Sequence, residues 1–231
     1  MSIFDLFDGL DRAGPGDGDS LRWAFGLAGK GPAARVLDAG CGRGADTGVL
    51  LDLAPEGGVV AVDLAPEFIA HVSAIHPRAW AEMADMTAPP GGPFDFIWSA
   101  GAAYAVGIEA ALTAWRRHLA PGGRVAFSHL CWRVAEPSRT SRDFWASEGA
   151  ILTSDAQHLE LIARAGWRVL GHQWLPSGAW AAYYDPLAAR LDLLEMQAGT
   201  TDLIASFRAE IALWRQHGEE YGYLLAVVEP A

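Results

Sequence analysis

Short apolar segments alternate with helical segments along residues 35–128, and this alternation limits the possible folds more than any other feature of the sequence. Residues 59–62 read Val-Val-Ala-Val and leave no polar position on either face of a strand. A strand of this kind is buried on both faces, as in parallel sheets covered by helices. Further strands are predicted at 35–38, 79–81, 94–98, 124–128, 167–174 and 221–228.

The segments between these strands carry helix signals. Ser20 can cap a helix with its hydroxyl group, and Pro66 stands where proline opens a helix. Helices are predicted at 20–27, 45–54, 66–75, 108–119, 153–165, 186–197 and 202–217. The sequence therefore predicts an α/β fold with helices on both faces of a mostly parallel sheet.

The domain organisation follows from the same pattern. We expect one domain over residues 1–231, with residues 1–30 as an N-terminal cap segment. Residues 131–150 and 176–218 are predicted to be insertions on the substrate side. The second of these is a helical insertion before the last strand.

Charge and cysteine content restrict the partners and the compartment. The formal net charge is −11, so a nucleic acid or an anionic membrane surface is not an expected partner. No uncharged apolar run reaches the length of a membrane span, and the start does not resemble a signal peptide. The two cysteines, Cys41 and Cys131, make no disulfide framework, which favours a cytoplasmic location. The oligomeric state is left open.

A glycine-rich turn follows the first strand and carries the strongest local signal. Residues 36–44 read Val-Leu-Asp-Ala-Gly-Cys-Gly-Arg-Gly, in which the glycines allow a sharp turn and a close approach of ligand to backbone. Asp63 ends the second strand about 20 residues later, where a carboxylate can accept both hydroxyls of a ribose. Together these features predict a ligand that contains a nucleoside.

The nature of the nucleoside depends on the acids around the turn. The spacing Gly40-x-Gly42-x-x-Ala45 also fits a dinucleotide fingerprint. Asp38, however, suits the ammonium group of an amino-acid ligand and would repel a pyrophosphate. Asp85 follows the third strand, where it could accept a hydrogen bond from an adenine amino group, with Met86 beside the ring.

These motifs, together with Leu-Ala-Pro-Gly-Gly at 119–123, resemble class I S-adenosylmethionine-dependent methyltransferases. The resemblance implies a Rossmann-like seven-stranded sheet, in the order 3-2-1-4-5-7-6 with strand 7 antiparallel. It also implies S-adenosyl-L-methionine as the cofactor. The residues expected to bind the cofactor are Asp38, Ala39, Gly40, Gly42, Asp63, Leu64, Asp85, Met86 and Ser99.

A narrower resemblance covers nearly the whole chain, and its outer motifs are Gly14-Pro15-Gly16, Asp143-Phe144-Trp145 and the segment from Trp180 to Pro186. Residues 96–104, Phe-Ile-Trp-Ser-Ala-Gly-Ala-Ala-Tyr, are similar to the "IWSEGAIY" segment of a group of bacterial small-molecule methyltransferases. The glutamate of that segment is Ala100 here, so a contact between that acid and the acceptor is not expected in this chain.

The methyl acceptor is expected beyond the carboxyl ends of strands 4 and 5, where the sheet has its topological switch point. His129 and Tyr104 are the candidate catalytic residues, with His129 as the first candidate for a general base. A histidine at a strand end can also be a hydrogen-bonded part of the wall. The residues expected to bind the acceptor are Trp132, Trp145, Trp180 and Tyr184. The other histidines lack ligand spacing, so no metal site is predicted.

Two alternative functions stay open from the sequence. An NAD(P)-dependent oxidoreductase uses the same type of sheet, but it commonly needs a lysine at the hydride site, and Lys30 is the only lysine here. A non-catalytic protein that binds S-adenosylmethionine would keep the same turn and acids. Asp85 alone fits an ordinary turn aspartate as well as a ligand contact.

Overall fold

The computed structural model describes residues 2–231, except for the side chain of Ala198, and it contains a central mixed sheet. Among these residues the strands lie in the order β3-β2-β1-β4-β5-β8-β7. β8 is antiparallel to both of its neighbours, and the other pairs are parallel. The strands are β1 (Val36–Ala39), β2 (Val59–Asp63), β3 (Trp80–Met83), β4 (Phe94–Ser99), β5 (Leu119–Trp132), β6 (Thr153–Ser154), β7 (Trp167–Trp174) and β8 (Tyr221–Pro230).

The sheet confirms the predicted topology, with one small addition. β8 is the antiparallel strand expected between strands 5 and 6 of the resembled fold. The additional strand is β6, whose two residues pair with Cys131 and Trp132 at the end of β5, where the sequence predicted the start of a helix. β5 is also longer than predicted, because Leu119 already pairs with Phe94 and the register then shifts to match Phe96 with Arg124.

Helices cover the sheet, and some of them begin at other residues than the local sequence pattern predicts. Asp17, not Ser20, caps the second helix, because the Asp17 carboxylate accepts from the Ser20 backbone N–H at 2.7 Å. Arg139–Ser147 forms a helix that the sequence did not predict. The helices are α1 (Ile3–Phe7), α2 (Gly18–Leu27), α3 (Ala45–Leu53), α4 (Pro66–Ile75), α5 (Ile108–Arg116), α6 (Arg139–Ser147), α7 (Asp155–Arg164), α8 (Ser177–Ala198) and α9 (Asp202–His217). None of those in the part of the chain described here is long and apolar enough to cross a membrane.

α8 begins nine residues before the predicted start at Pro186 and passes through that proline. A proline inside a helix removes one backbone hydrogen bond, so the first turns need support from packing. Trp180, Tyr183 and Tyr184 supply it, since all three side chains are buried in an apolar cluster. Tertiary packing therefore extends α8 toward its N-terminus, beyond Pro186, where the local sequence pattern predicted its start.

Apolar clusters cover both faces of the sheet, and a further one, here called the third core, lies against the carboxyl end of β5 and the start of β8. The third core joins α1, α6, α8 and α9 around Tyr221. It thus brings together the cap segment and the two insertions expected from the sequence. Its aromatic rings contact each other closely: Trp180 and Tyr221 have ring centroids 5.9 Å apart, and Trp145 and Tyr221 have centroids 5.1 Å apart.

We expect Trp115→Phe to lower the free energy of unfolding by about 1–3 kcal/mol. Trp115 is fully buried, and its Nε1–H donates to the Met86 carbonyl oxygen at 2.9 Å. The variant loses this bond and part of the packing volume. Denaturant unfolding measures the change. Trp80→Phe is the control, because Trp80 is half exposed on β3. An equal loss of unfolding free energy in the two variants would contradict the stabilising role of Trp115 burial and its hydrogen bond.

Candidate functional site

The turn after β1 brings the backbone of Gly40 unusually close to the loop after β4. Gly40 has φ +76°, and a Cβ atom at this position would lie 2.4 Å from the Cβ of Ala102. The backbone N–H groups of Gly40 and Cys41 both donate to the Val62 carbonyl oxygen at 2.9 Å. The turn therefore lies against the end of β2, and glycine is required at its first position.

Asp63 connects this turn to the end of β2. Its Oδ2 accepts from the Gly42 N–H and its Oδ1 from the Ala65 N–H, each at 3.0 Å. A carboxylate oxygen can accept more than one hydrogen bond, so the half-buried group keeps acceptor capacity toward the cavity that it lines. This geometry suits the two hydroxyls of a ribose.

Asp38 is buried at the base of the same cavity. Its Oδ2 accepts a hydrogen bond from the Thr47 hydroxyl at 2.6 Å. Burial, with a smaller contribution from the Asp46 carboxylate, raises the pKa of Asp38 to about 7, and the Thr47 bond opposes this shift. A cation at this position would offset both unfavourable effects, which fits the ammonium group of an amino-acid ligand.

Asp46 ties the N-terminal segment to the cavity. It forms a part-buried ion pair with Arg12, and it accepts from Trp98 Nε1–H at 2.9 Å. Arg43 also donates to the Leu10 carbonyl oxygen at 2.5 Å. The segment that precedes α2 therefore lies along the wall of the cavity beside the glycine turn.

One continuous cavity of about 1140 Å³ runs from the glycine turn to the third core. It is larger than a typical drug-sized ligand needs, so it can hold two ligands side by side. Of the residues predicted to bind the cofactor, those that line it are Asp38, Gly40, Gly42, Asp63, Leu64 and Met86.

Three predicted cofactor residues lie outside the cavity lining. Ala39 and Ser99 are fully buried in the strands. Asp85 is exposed, and its Oδ1 accepts from both the backbone N–H and the hydroxyl of Thr87 at 2.7 Å. Both bonds lower the pKa of Asp85, and the bond from the backbone N–H has the larger effect. The carboxylate thus closes a turn in the structure, and a contact between Asp85 and adenine stays a prediction.

The acceptor end of the cavity contains a pair of stacked histidines. The rings of His129 and His158 lie 4.8 Å apart at an interplanar angle of 19°. Burial lowers the pKa of His129 to about 4 and that of His158 to about 3. Both rings are therefore neutral at neutral pH. His158 Nε2 has no hydrogen-bond partner among residues 2–231.

Aromatic side chains form much of the wall beyond the histidines. Trp145 and Trp180 line the cavity, and so does Tyr104, which is 66% exposed at its mouth. Trp132 and Tyr184 do not line it. Trp132 packs against Tyr221, and the Tyr184 hydroxyl donates to Glu210 at 2.6 Å.

The cavity also contains residues that the sequence analysis missed. His158 comes from α7, and Tyr223 joins the aromatic wall. Glu210 and Phe207 stand three residues apart on α9, so a polar residue on an apolar helix face was an available signal. The sequence offered no comparable signal for His158.

These features define a nucleoside-binding α/β protein: a parallel sheet, a glycine turn, and acids at the ends of β1 and β2. Its cavity continues from this site to an aromatic wall. A family model described as a methyltransferase domain matches residues 36–123. A trans-aconitate 2-methyltransferase of an Azoarcus species is 30% identical over 203 residues, which cover 85% of this chain and 72% of that protein. The chain belongs to the class I S-adenosylmethionine-dependent methyltransferases, and its cofactor is S-adenosyl-L-methionine.

Solved structures share the fold over almost the full length. A methyltransferase of Geobacter sulfurreducens in complex with S-adenosyl-L-homocysteine has a TM-score of 0.80 at 18% identity, and 99% of this chain and 98% of that chain are covered. One of Thiobacillus denitrificans, in complex with the same molecule, has a TM-score of 0.81 at 16% identity, with coverage of 100% and 99%. The buried Asp38 beside the turn agrees with an amino-acid ligand rather than a dinucleotide.

We expect the affinity for S-adenosyl-L-homocysteine to weaken roughly five- to tenfold as the pH falls from 7.5 to 6.0. The bound ammonium group favours ionised Asp38, so protons that occupy this carboxylate in the free protein, with its pKa of about 7, compete with binding. This pH range lies below the titration of an α-amino group, which keeps the ligand cationic. Calorimetric titration measures the effect.

Two variants test the assignment to Asp38. Asp38→Asn should bind more weakly at pH 7.5 and show little dependence on pH. Thr47→Val removes the hydrogen bond that lowers the pKa of Asp38, so its affinity should begin to fall at a higher pH than in the wild type. An unaltered pH profile in Asp38→Asn would place the titrating group elsewhere.

Proposed function

We propose that this chain methylates a small-molecule acceptor that binds in the aromatic half of the cavity. The observation that supports this proposal is the continuity of the cavity, which joins Gly40 and Asp63 at one end to Trp145 and Trp180 at the other. A donor and an acceptor bound in one continuous cavity can contact each other directly, and positioning is the main requirement of methyl transfer. The net charge of −11 disfavours a nucleic-acid acceptor.

The donor half holds the cofactor through groups of different chemistry. When bound, S-adenosylmethionine supplies an electrophilic methyl group on a sulfonium centre. Asp38 would bind its ammonium group, Asp63 its ribose, and Met86 would pack beside the adenine. Glycine at position 40 lets the loop after β4 pack directly against the turn, because any side chain there would meet Ala102.

His129 is proposed to accept a hydrogen bond from the O–H or N–H group that becomes methylated. Its depressed pKa keeps the ring unprotonated at neutral pH, so its free nitrogen is an acceptor. The same burial disfavours an imidazolium ion. His129 therefore orients the acceptor first and takes its proton only as the new bond forms. Tyr104, at the mouth, is proposed to orient the acceptor from the other side.

We also infer a cytoplasmic location. Both Cys41 and Cys131 are free and buried. Free thiols persist in a reducing compartment, which agrees with this location.

Parallel titrations with S-adenosyl-L-methionine, S-adenosyl-L-homocysteine and NAD test the donor half. The first two ligands should bind with measurable heat, and NAD should not. A panel of small hydroxylated and amino-substituted aromatic acceptors, with mass-spectrometric detection of methylated product, then tests the acceptor half. A protein that binds the donor but methylates no acceptor in the panel, while it binds a partner protein instead, would favour the non-catalytic alternative.

We expect His129→Ala to lower kcat about 10²-fold or more with an acceptor found in that panel. Its affinity for S-adenosyl-L-homocysteine should stay within about threefold of the wild type, because His129 lies at the acceptor end. Steady-state kinetics and calorimetry separate the two quantities. His172→Ala is the control, since His172 is exposed on β7 and does not line the cavity. An unchanged kcat in His129→Ala would remove this residue from the mechanism.

A further inference from the structure

The acceptor end of the cavity has no cationic side chain among the described residues that line it. The two arginines of the cavity wall are Arg12 and Arg43. Both belong to the donor end, where Arg12 pairs with Asp46 and Arg43 bonds the Leu10 carbonyl oxygen. Lys30 donates to the Gly122 carbonyl oxygen and does not line the cavity. A negatively charged acceptor would find no opposite charge at this end.

The histidines do not supply that charge either. Burial keeps both His129 and His158 neutral at neutral pH, because the pKa of each is far below its ordinary value. Stacking at 4.8 Å would also place two like charges side by side if both were protonated. The pair therefore offers hydrogen-bonding groups but no positive field.

The same end contains a carboxylate with no cationic partner in the described part of the chain. Glu210 lines the cavity, and its Oε1 accepts from the Tyr184 hydroxyl. No protein hydrogen bond reaches its Oε2 within residues 2–231. Burial raises the pKa of Glu210, and the exposed carboxylate of Glu148 at the cavity wall adds to this. Glu210 is half-buried, and a carboxylate that has lost part of its water without a paired cation is unfavourable, so this position favours a cation from outside the protein.

The cavity that Glu210 lines also has aromatic side chains in its wall. Trp180, Tyr183 and Phe207 line the same cavity as Glu210. Trp180 stacks with Tyr223 at 5.2 Å and 22°, which holds the indole in place. Aromatic rings attract cations and accommodate flat apolar groups, so the walls and the carboxylate favour the same kind of ligand.

We propose that the acceptor is a flat, apolar molecule with a protonated amine, and that Glu210 binds this amine. The inference rests on the proposed function and specifies its acceptor. The amine is the recognised group and not the methylated atom, because a protonated nitrogen has no lone pair with which to attack a methyl group. A tricarboxylate such as trans-aconitate, named in the Azoarcus relative, does not fit this pocket, since it would meet Glu210 and Glu148 with no cation to balance it.

Three probes with one ring system and different charges test this proposal. They are 1-naphthylmethylamine, 1-naphthalenemethanol and 1-naphthoate, and each is titrated into the full chain saturated with S-adenosyl-L-homocysteine. The amine should bind about tenfold more tightly than the alcohol, and the carboxylate should bind most weakly. Equal affinities, or a preference for 1-naphthoate or for trans-aconitate, would overturn the proposal. Binding of S-adenosyl-L-homocysteine is measured first, so a failure of the donor site is seen separately.

Glu210→Gln tests the residue itself. The glutamine oxygen can still accept from Tyr184, so the local packing is kept while the charge is removed. The preference for the amine over the alcohol should fall to about twofold or less. Glu219→Gln is the matched control and should keep the preference, because Glu219 is exposed and does not line the cavity. An unaltered preference in Glu210→Gln, with unchanged affinity for S-adenosyl-L-homocysteine, would contradict the role of Glu210.

Discussion

The carboxylate of Asp63 joins the glycine turn after β1 to the first residues after β2. The shape of the proposed donor site depends on this contact. One oxygen binds the Gly42 N–H and the other binds the Ala65 N–H. Two chain segments that are 21 residues apart are thereby fixed at one edge of the sheet. The ends of β1 and β2 can then act together on one ligand, while the close approach of Gly40 to Ala102 adds the loop after β4. Parallel strands meet at their carboxyl ends, and this is why one turn can organise the whole crevice.

The electrostatics of the cavity divide it into two halves with different chemistry. At the donor end, burial raises the pKa of Asp38, which a bound cation would lower again. Arg12 is paired with Asp46. At the acceptor end, burial keeps the histidine pair neutral, and the carboxyl groups of Glu210 and Glu148 line the cavity, with no cationic side chain at this end among residues 2–231. The same physical cause, loss of water around an ionisable group, acts in both halves. The glycine turn and Asp63 lie within residues 36–123, which the family model matches, whereas specificity for the acceptor would come from the third core.

The third core explains why the acceptor site was harder to predict than the donor site. The donor residues lie within one turn and at successive strand ends, so their positions follow from periodicity and the sheet topology. Six of the nine predicted donor residues line the cavity. The acceptor wall instead draws on α1, α6, α8 and α9, which are far apart in sequence. Trp145 and Trp180 line the cavity as predicted. Trp132 and Tyr184, which were also predicted, pack behind the wall. Tyr183 and Glu210 line the cavity instead.

The sequence by itself determined the α/β class and the glycine turn, because apolar strands, helix periods and glycine requirements are local properties of the chain. The strand order was implied by the resemblance to methyltransferases. It also indicated the family through motifs that lie close together between residues 36 and 123. Only the tertiary structure decided which aromatic side chains face the cavity, that His158 stacks on His129, and that α8 begins before Pro186. Those features arise from contacts between distant segments, and the free energy of burial that selects them cannot be assigned to any one segment alone.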